Sequence, residues 1–459
     1  MTHAATYSTD YAPTEAEREG VRLWPTFVVA LIGVLLISLP TIADPLIRHD
    51  DYPAFFAEPD AFWPKTLHEG RWVNYLWHLR EIVTPAWLNF AVYQALWALF
   101  AAAIGVVAMG RDGSPWFAAV LALIVLVAPS ASLIALWFNT LIPGLALVAL
   151  YAALGCTLSV RTHRALLPLF VTLTFLAYTT YPLLLLAVCL ARTYRRSFLD
   201  LFGLLSLFTT SFVLAVLTAF AINWQVHGVF GVPPAEWREG TPAADLNGLI
   251  TNIPLILQSF AHFFDRSTFD FQPALFFHIA LFGGATLVLV KRARLEALYL
   301  HAGLWMGIAL IVVQVLKLGV ITPPRAFIFA WVFYALIVVR AAIILHRDAA
   351  DHRQITPKLL LLVAAFHLQL TFMQFSTHRD WQSDTQAIAE RVSAVQGQIY
   401  LTGKVSEMDS ARKAFIQKEI AILERIRQLT GRTVMFCNSA PDACETAKGE
   451  NPERVISIN

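Results

Sequence analysis

Charge is what this chain has least of. Only 14% of its 459 residues are Asp, Glu, Lys or Arg, while 57% are hydrophobic; a soluble domain would carry roughly 25% charged residues. The shortage excludes a soluble globular protein, and the apolar excess falls in long runs, which in lipid must be helical. The two signs nearly cancel, 34 Lys and Arg against 32 Asp and Glu, so no electrostatic footprint for nucleic acid exists. There is no internal repeat, no low-complexity stretch, no Gly-rich phosphate-cradling loop and no dinucleotide-binding fingerprint.

Cysteine is also scarce, with four in all. Cys156 and Cys189 lie in apolar runs, whereas Cys437 and Cys444 bracket CNSAPDAC in the one long hydrophilic region. That pair either closes a disulfide, if the region lies outside the cytoplasm, or is two unrelated thiols. The polar N-terminus, residues 1–24, lacks the basic segment of a signal peptide and reads as a cytoplasmic tail before an uncleaved first span.

About eleven runs approach the length needed to cross a bilayer: 25–43, 87–109, 116–137, 141–160, 165–181, 182–192, 199–223, 273–290, 297–320, 326–345 and 359–376. The sixth works only if it forms a hairpin with the fifth, turning at Tyr181-Pro182. Arg111, Arg161, Arg164, Arg192, Arg195, Arg196, Lys291, Arg292, Arg294, Arg347, Arg353 and Lys358 all fall on one side of an alternating count. Short loops rich in Lys and Arg stay cytoplasmic. Hence the outer loops 44–86 and 224–272, and the region 377–459, are expected on the far, extracytoplasmic side of a multi-pass membrane protein. The 25–376 segment forms the transmembrane domain. The 377–459 region reads as a small α+β domain, with helices at 384–396 and 408–429 and strands at 398–401, 433–436 and 455–458.

The first outer loop, ADPLIRHDDYPAFFAEPDAFWPKTLHEGRWVNYLWHLR, is too charged for hydrocarbon and too aromatic for open water. It predicts one or two helices lying at the headgroup level. Asp50 and Asp51 would stand at the start of that element, where free backbone N–H groups favour an anion; the plain account makes Asp50 a helix cap and Asp51 a solvated first-turn carboxylate.

An Asp pair just outside the first span, followed some twenty residues later by Gly70-Arg71-Trp72, resembles the bacterial type II O-antigen glucosyltransferases of the GT-C superfamily. The motif likeness covers the first span and outer loop; the remainder is similar only in its pattern of spans. The resemblance implies a polyprenyl-phosphate-sugar-dependent glycosyltransferase that works at the outer face, moving a hexose, glucose by the resemblance, to a cell-surface glycan such as O-antigen. Asp50 or Asp51 would then be the catalytic base, deprotonating an acceptor hydroxyl as polyprenyl phosphate leaves. The two carboxylates could instead hold a divalent cation, Mg or Mn. Since neighbouring residues on a helix do not share a face, one is expected to be catalytic and the other structural or metal-bound.

A departing phosphate needs cations. Lys317 near the outer end of the ninth span, Arg325 on the stiff Thr322-Pro323-Pro324-Arg325 turn, and Arg71 are the candidates. In HFFDRSTFD, His262, Asp265, Arg266 and Asp270 beside phenylalanines suit acceptor-sugar binding, although an amphipathic helix explains the apolar half equally well. His278, His301 and His367 read as interhelical hydrogen-bond partners. The partners implied are a lipid-linked sugar donor, a glycan or lipid-linked glycan acceptor and membrane lipids. Competing readings are an O-antigen polymerase or ligase, which leans on basic residues of late outer loops; a lipid or glycan transporter, disfavoured by acid-poor spans without repeat symmetry; and an assembly protein whose tail is a docking module.

Overall fold

The computed structural model describes residues 21–110, 113–192, 196–235, 240–269, 271–347 and 355–458. Arg111, Arg195, Asp270, Arg353 and most of the N-terminal tail therefore lie outside the described residues.

The apolar runs are helices. Chain order begins with α1 (Leu23–Ser38), then two 3-10 turns (Tyr52–Phe55 and Pro59–Phe62), α2 (Trp63–Glu69) and α3 (Trp72–His78) in the first loop. It continues through α4 (Ala86–Met109), α5 (Pro115–Leu126), α6 (Pro129–Ile134), α7 (Phe138–Thr157), α8 (Val160–Ala165), α9 (Leu167–Phe175), α10 (Tyr181–Ala191) and α11 (Phe198–His227). The second loop carries α12 (Leu246–Thr251) and α13 (Ile253–Ser267), and is followed by α14 (Gln272–Arg292), α15 (Arg294–Leu318), α16 (Ile328–Arg347) and α17 (Ile355–Ser376).

Among the described residues seven helical stretches are long and apolar enough to cross a membrane: Ala86–Met109, Pro129–Thr157, Phe198–His227, Gln272–Arg292, Arg294–Leu318, Pro324–Arg347 and Ile355–Ala394. Three apolar helices are shorter, Leu23–Ser38, Pro115–Leu126 and Tyr181–Ala191. The span expected over 165–181 is only the nine-residue α9, and that expected over 116–137 stops after twelve residues at Leu126. Proline sets the second break, because Pro129 disfavours helical backbone at Ala128 and starts a new helix itself. The carbonyls freed there are not left bare. Trp97 Nε1 donates to Leu126 O at 2.9 Å and Trp331 Nε1 to Ile124 O at 2.7 Å, which is how a broken helix is tolerated in an apolar surround.

The core is α16, apolar on every face apart from the buried Arg340 and its last turn, and 83% buried over its most hydrophobic stretch, flanked by α5, α10, α14, α15 and α17. By contrast α11 and α14 bury only 22% of theirs, leaving broad apolar faces that suit lipid.

From α18 (His378–Ala394) the chain builds the tail: β1 (Tyr400–Thr402), α19 (Asp409–Lys413), α20 (Glu419–Thr430), β2 (Met435–Phe436), α21 (Pro441–Glu450) and β3 (Val455–Ser457). The three strands form a parallel sheet in the order β2-β1-β3, with a core that includes Trp381, Val392, Leu401, Ile422, Ile426 and Phe436. Cys437 and Cys444 are joined as a disulfide. One expectation fails here. The helix read over 408–429 is two helices, broken between Lys413 and Glu419, with Phe415 in the left-handed region at φ 55°.

Candidate functional site at the outer-loop and tail junction

The break between α5 and α7 positions everything that follows. Ala135–Trp137 forms a 3-10 turn, Trp137 takes the N-cap position of α7, and an indole cannot accept the free N–H groups at that end. Asp51 does so from the first loop. Its carboxylate accepts from Asn139 N at 3.1 Å, from Thr140 N at 2.8 Å and from the Thr140 hydroxyl, with no exposure to solvent. Thus Asp51 caps a helix, as an anion near an N-terminus should, but the helix is α7. It makes no side-chain cap to the Tyr52–Phe55 turn that it precedes, and the plain account is corrected on both residues: Asp51, expected as a solvated first-turn carboxylate, is buried and caps a helix across 89 residues of chain, while Asp50, expected as the local cap, meets Lys65 and Trp137 instead. Burial pushes the Asp51 carboxyl up to about 6, against the Thr140 hydrogen bonds.

Asp50 faces elsewhere. Its Oδ2 lies 3.2 Å from Lys65 Nζ, and its Oδ1 accepts from Trp137 Nε1 at 2.5 Å. Burial alone would raise its pKa, but Lys65, His49, the Trp137 hydrogen bond and Arg71 together hold the carboxyl well below the ordinary carboxylate range. Asp50 is therefore ionised at any physiological pH, with a side chain still one-third exposed.

The pair does not fit a divalent cation. Asp51's oxygens are taken by α7, and Asp50, although its carboxylate keeps lone pairs for a hydroxyl, already faces the ammonium of Lys65, whose charge opposes a second cation beside it. No group of three or more His, Cys, Asp or Glu that could hold a metal occurs among the described residues.

Trp137 also forms one wall of a hollow of about 180 Å³ lined by Arg48, Leu133, Leu136, Trp137, Arg266, Pro324, Arg325, Gln374, His378, Ala414 and Phe415. Three guanidiniums thus come together from three distant segments. Arg325 stacks on the Trp137 ring at 4.4 Å and Arg48 at 5.4 Å, while Arg266 sits over Phe415 at 4.2 Å. Arg48 Nη1 also donates to Phe415 O at 2.8 Å. Burial first, then the like charge of Arg325, lowers the pKa of Arg48, with Asp50 acting the other way. Arg48 Nε is buried without a hydrogen-bond partner. An unpaired buried donor costs about 1–3 kcal/mol, and like charges gathered round a cavity favour an anion in it.

Of the residues that the sequence singled out, Arg325 and Arg266 line this hollow. Asp50 stands behind its Trp137 wall, and Asp51 holds that wall's helix. Lys317 does not take part: its Nζ donates to Ala243 O at 2.7 Å while its own carbonyl accepts from Ala243 N at 2.9 Å, clamping the second loop to the end of α15. Arg71 is paired with Glu69 at 2.6 Å and acts on Asp50 only through its field. Asp265 accepts from Gln272 at 3.0 Å, and His262 is exposed. His278 meets Tyr334 OH at 2.6 Å and His367 at 2.9 Å, and His301 meets Thr286 at 3.1 Å, all between helices.

Sequence reading passed over Arg48, Lys65, Trp137, His378 and Phe415. For Arg48 a signal existed, as a cation two residues before the Asp pair. For Trp137 and Phe415 none did, since each sits inside an apolar pattern.

No protein-family model matches the chain, and the search of curated proteins finds no significant match.

Proposed function

We propose that the junction of first outer loop, Pro-Pro-Arg turn and tail is the active site of a membrane glycosyltransferase that takes its sugar from a polyprenyl-phosphate donor. The observation that carries the reading is the indole of Trp137, which donates to an ionised Asp50 on one side and presents its face to Arg48 and Arg325 on the other. A carboxylate and a cation-lined hollow, one side chain apart, match a substrate whose reacting carbon becomes positive while its leaving group becomes negative.

The donor phosphate occupies the hollow. An acceptor hydroxyl attacks the anomeric carbon; the new C–O bond forms as the bond to the phosphate oxygen breaks, and that electron pair leaves on the phosphate. Guanidiniums stabilise the departing charge. Asp50, with its depressed pKa, is a weak base, so its main part is to orient the hydroxyl and face the positive anomeric centre. The hydroxyl proton passes to it late, once bond formation has acidified the oxygen, and then to water. In this reading the chain crosses a bacterial inner membrane with residues 1–24 cytoplasmic and the tail periplasmic, following its basic short loops.

Transfer from a polyprenyl-phosphate hexose to a glycan acceptor, assayed in proteoliposomes, tests it: Asp50→Asn lowers kcat by about 10²–10⁴-fold while the protein stays folded, and unchanged transfer in that variant rejects the site. The ligase reading gains from Arg266 and Arg325, which are basic residues of late outer loops. It parts from the leading one on the same variant, because a ligase that leans on those arginines keeps its activity without the Asp50 charge.

A further inference from the structure

The far wall of the hollow belongs to the tail, which the chemistry above leaves unused. His378, Ala414 and Phe415 come from it, and Gln374 from the last turn of α17. His378 opens α18 just beyond the apolar α17. It is 3% exposed, lies edge-on to Phe375 at 5.9 Å, and its Nδ1 has no hydrogen-bond partner.

Two buried polar groups without partners among the described residues, Arg48 Nε and His378 Nδ1, therefore belong to side chains that line one cavity, although 330 positions separate them in the chain. Buried polar groups are normally satisfied, and one explanation of an exception, where the side chain also lines a hollow, is that something else binds there. That something must bring acceptor oxygens, because the polar groups set among the apolar walls of the hollow are mainly donors: three guanidiniums, an amide and an imidazole. The imidazole is neutral there, since burial and the charge of Arg48 push its pKa down to about 3. A neutral ring supplies an N–H without adding a further positive charge where Arg48 and Arg325 already repel one another.

We infer that His378 is a phosphate-binding residue, its imidazole N–H donating to a non-bridging oxygen of a phosphate seated among Arg48, Arg266 and Arg325, so that the tail domain forms part of the binding site. The inference rests on the reading that this hollow takes the donor's phosphate, and it adds a ligand from a domain that the sequence left without a task. The two non-bridging oxygens of a phosphodiester, or the three of the monoester left after transfer, carry lone pairs enough to meet the guanidiniums and still accept from a further N–H.

Binding of farnesyl monophosphate and of inorganic phosphate to the full-length protein in detergent is the test, in wild type and in His378→Phe, which fills the same volume and keeps the contact with Phe375. The variant is expected to bind both probes about tenfold more weakly. In wild type labelled with ¹⁵N-histidine, saturation with either probe is expected to shift the ring nitrogens of one histidine, the signal missing from the Phe variant. The farnesyl compound binding more tightly identifies a lipid headgroup as the source of the phosphate; equal affinities identify a free phosphate, with the role of His378 unchanged. If His378→Phe binds within twofold of wild type, or the His378 nitrogens do not move on saturation, the inference falls while the arginine hollow stands. If wild type binds neither probe, both fall, and the Asp50 transfer assay separately decides whether this is still a glycosyltransferase. Should His378→Phe not fold, His378→Leu takes its place in both the affinity comparison and the assignment of the ring signal.

Discussion

Asp50 Oδ1 accepts the indole N–H of Trp137 at 2.5 Å, and the same indole carries Arg325 over its ring at 4.4 Å. One side chain thus answers to a negative and a positive group at once, and the two contacts can be separated by substitution. Trp137→Phe keeps an aromatic face for Arg48 and Arg325 but removes the donor to Asp50. Transfer should fall about tenfold, near the worth of one charge-assisted hydrogen bond, with the donor KM little changed. Trp137→Ala removes the face as well and should raise the donor KM. Steady-state kinetics of both variants check the split.

Arg325 tests the geometry of the cation. Its guanidinium is planar and stacked, and lysine would keep the charge while losing both the stack and the forked donors. Arg325→Lys should therefore behave much like Arg325→Gln, with transfer down by about 10²-fold. Recovery to within a few fold of wild type would show that charge alone suffices and that the stack on Trp137 has no part in positioning.

Asp51 governs stability, and its pH dependence has a definite sign. Its folded-state pKa, about 6, lies above the ordinary 3.8. The folded protein consequently binds this proton more tightly than the unfolded chain does. Stability from this group is greatest below the ordinary value and declines as pH rises from about 4 through about 6, by at most ~3 kcal/mol on the constant linking pKa shifts to free energy. Asp51→Asn leaves an acceptor for the α7 N–H groups and should flatten that portion of the thermal-stability profile. Asp51→Ala uncaps α7 and should lower stability at every pH, by about 1–3 kcal/mol. Melting curves between pH 4 and pH 8 distinguish the three proteins.

Periodicity and charge made the helical framework legible, because an apolar run in lipid has few other structures open to it. The unlike fates of Asp50 and Asp51 were legible in kind, since adjacent carboxylates seldom serve one task, but their partners were not. Trp137 and Thr140 lie nearly ninety residues away, and only the fold shows that the first loop returns to cap α7. Lys317 misled for a related reason: a lysine at a span end is conspicuous, yet its ammonium found a carbonyl of the second loop. Phe415 was hidden by its own pattern. Its spacing with Ile420 and Ile422 suggests one continuous helix, whereas positive φ at a phenylalanine is a tertiary feature that no spacing announces. Arg48 Nη1 holding the Phe415 carbonyl and Arg266 lying on its ring give that conformation its support.

The hold of the tail on the first loop gives the last expectation. Arg425 pairs with Asp44 and donates to Gln428 Oε1 at 3.0 Å, and Arg427 Nη2 lies 2.6 Å from Glu58 Oε1. The partners of the first pair differ in burial: the Arg425 side chain is 3% exposed and that of Asp44 39%. Removing one member of an ion pair hurts most when the charge left behind is buried. Asp44→Ala leaves a buried guanidinium without its counter-ion and should cost about 3–5 kcal/mol, whereas Arg425→Ala leaves a carboxylate that water can solvate and should cost less, about 1–3 kcal/mol. The acid is thus expected to be the more damaging loss, although it is the more exposed residue. Because Phe415 and His378 reach the hollow from the tail, loosening this hold should also weaken phosphate binding in the same order. Limited proteolysis at the Ser376-Thr377 junction, followed alongside farnesyl monophosphate affinity, measures both. Equal effects of the two substitutions would mean that Asp44 does not neutralise Arg425.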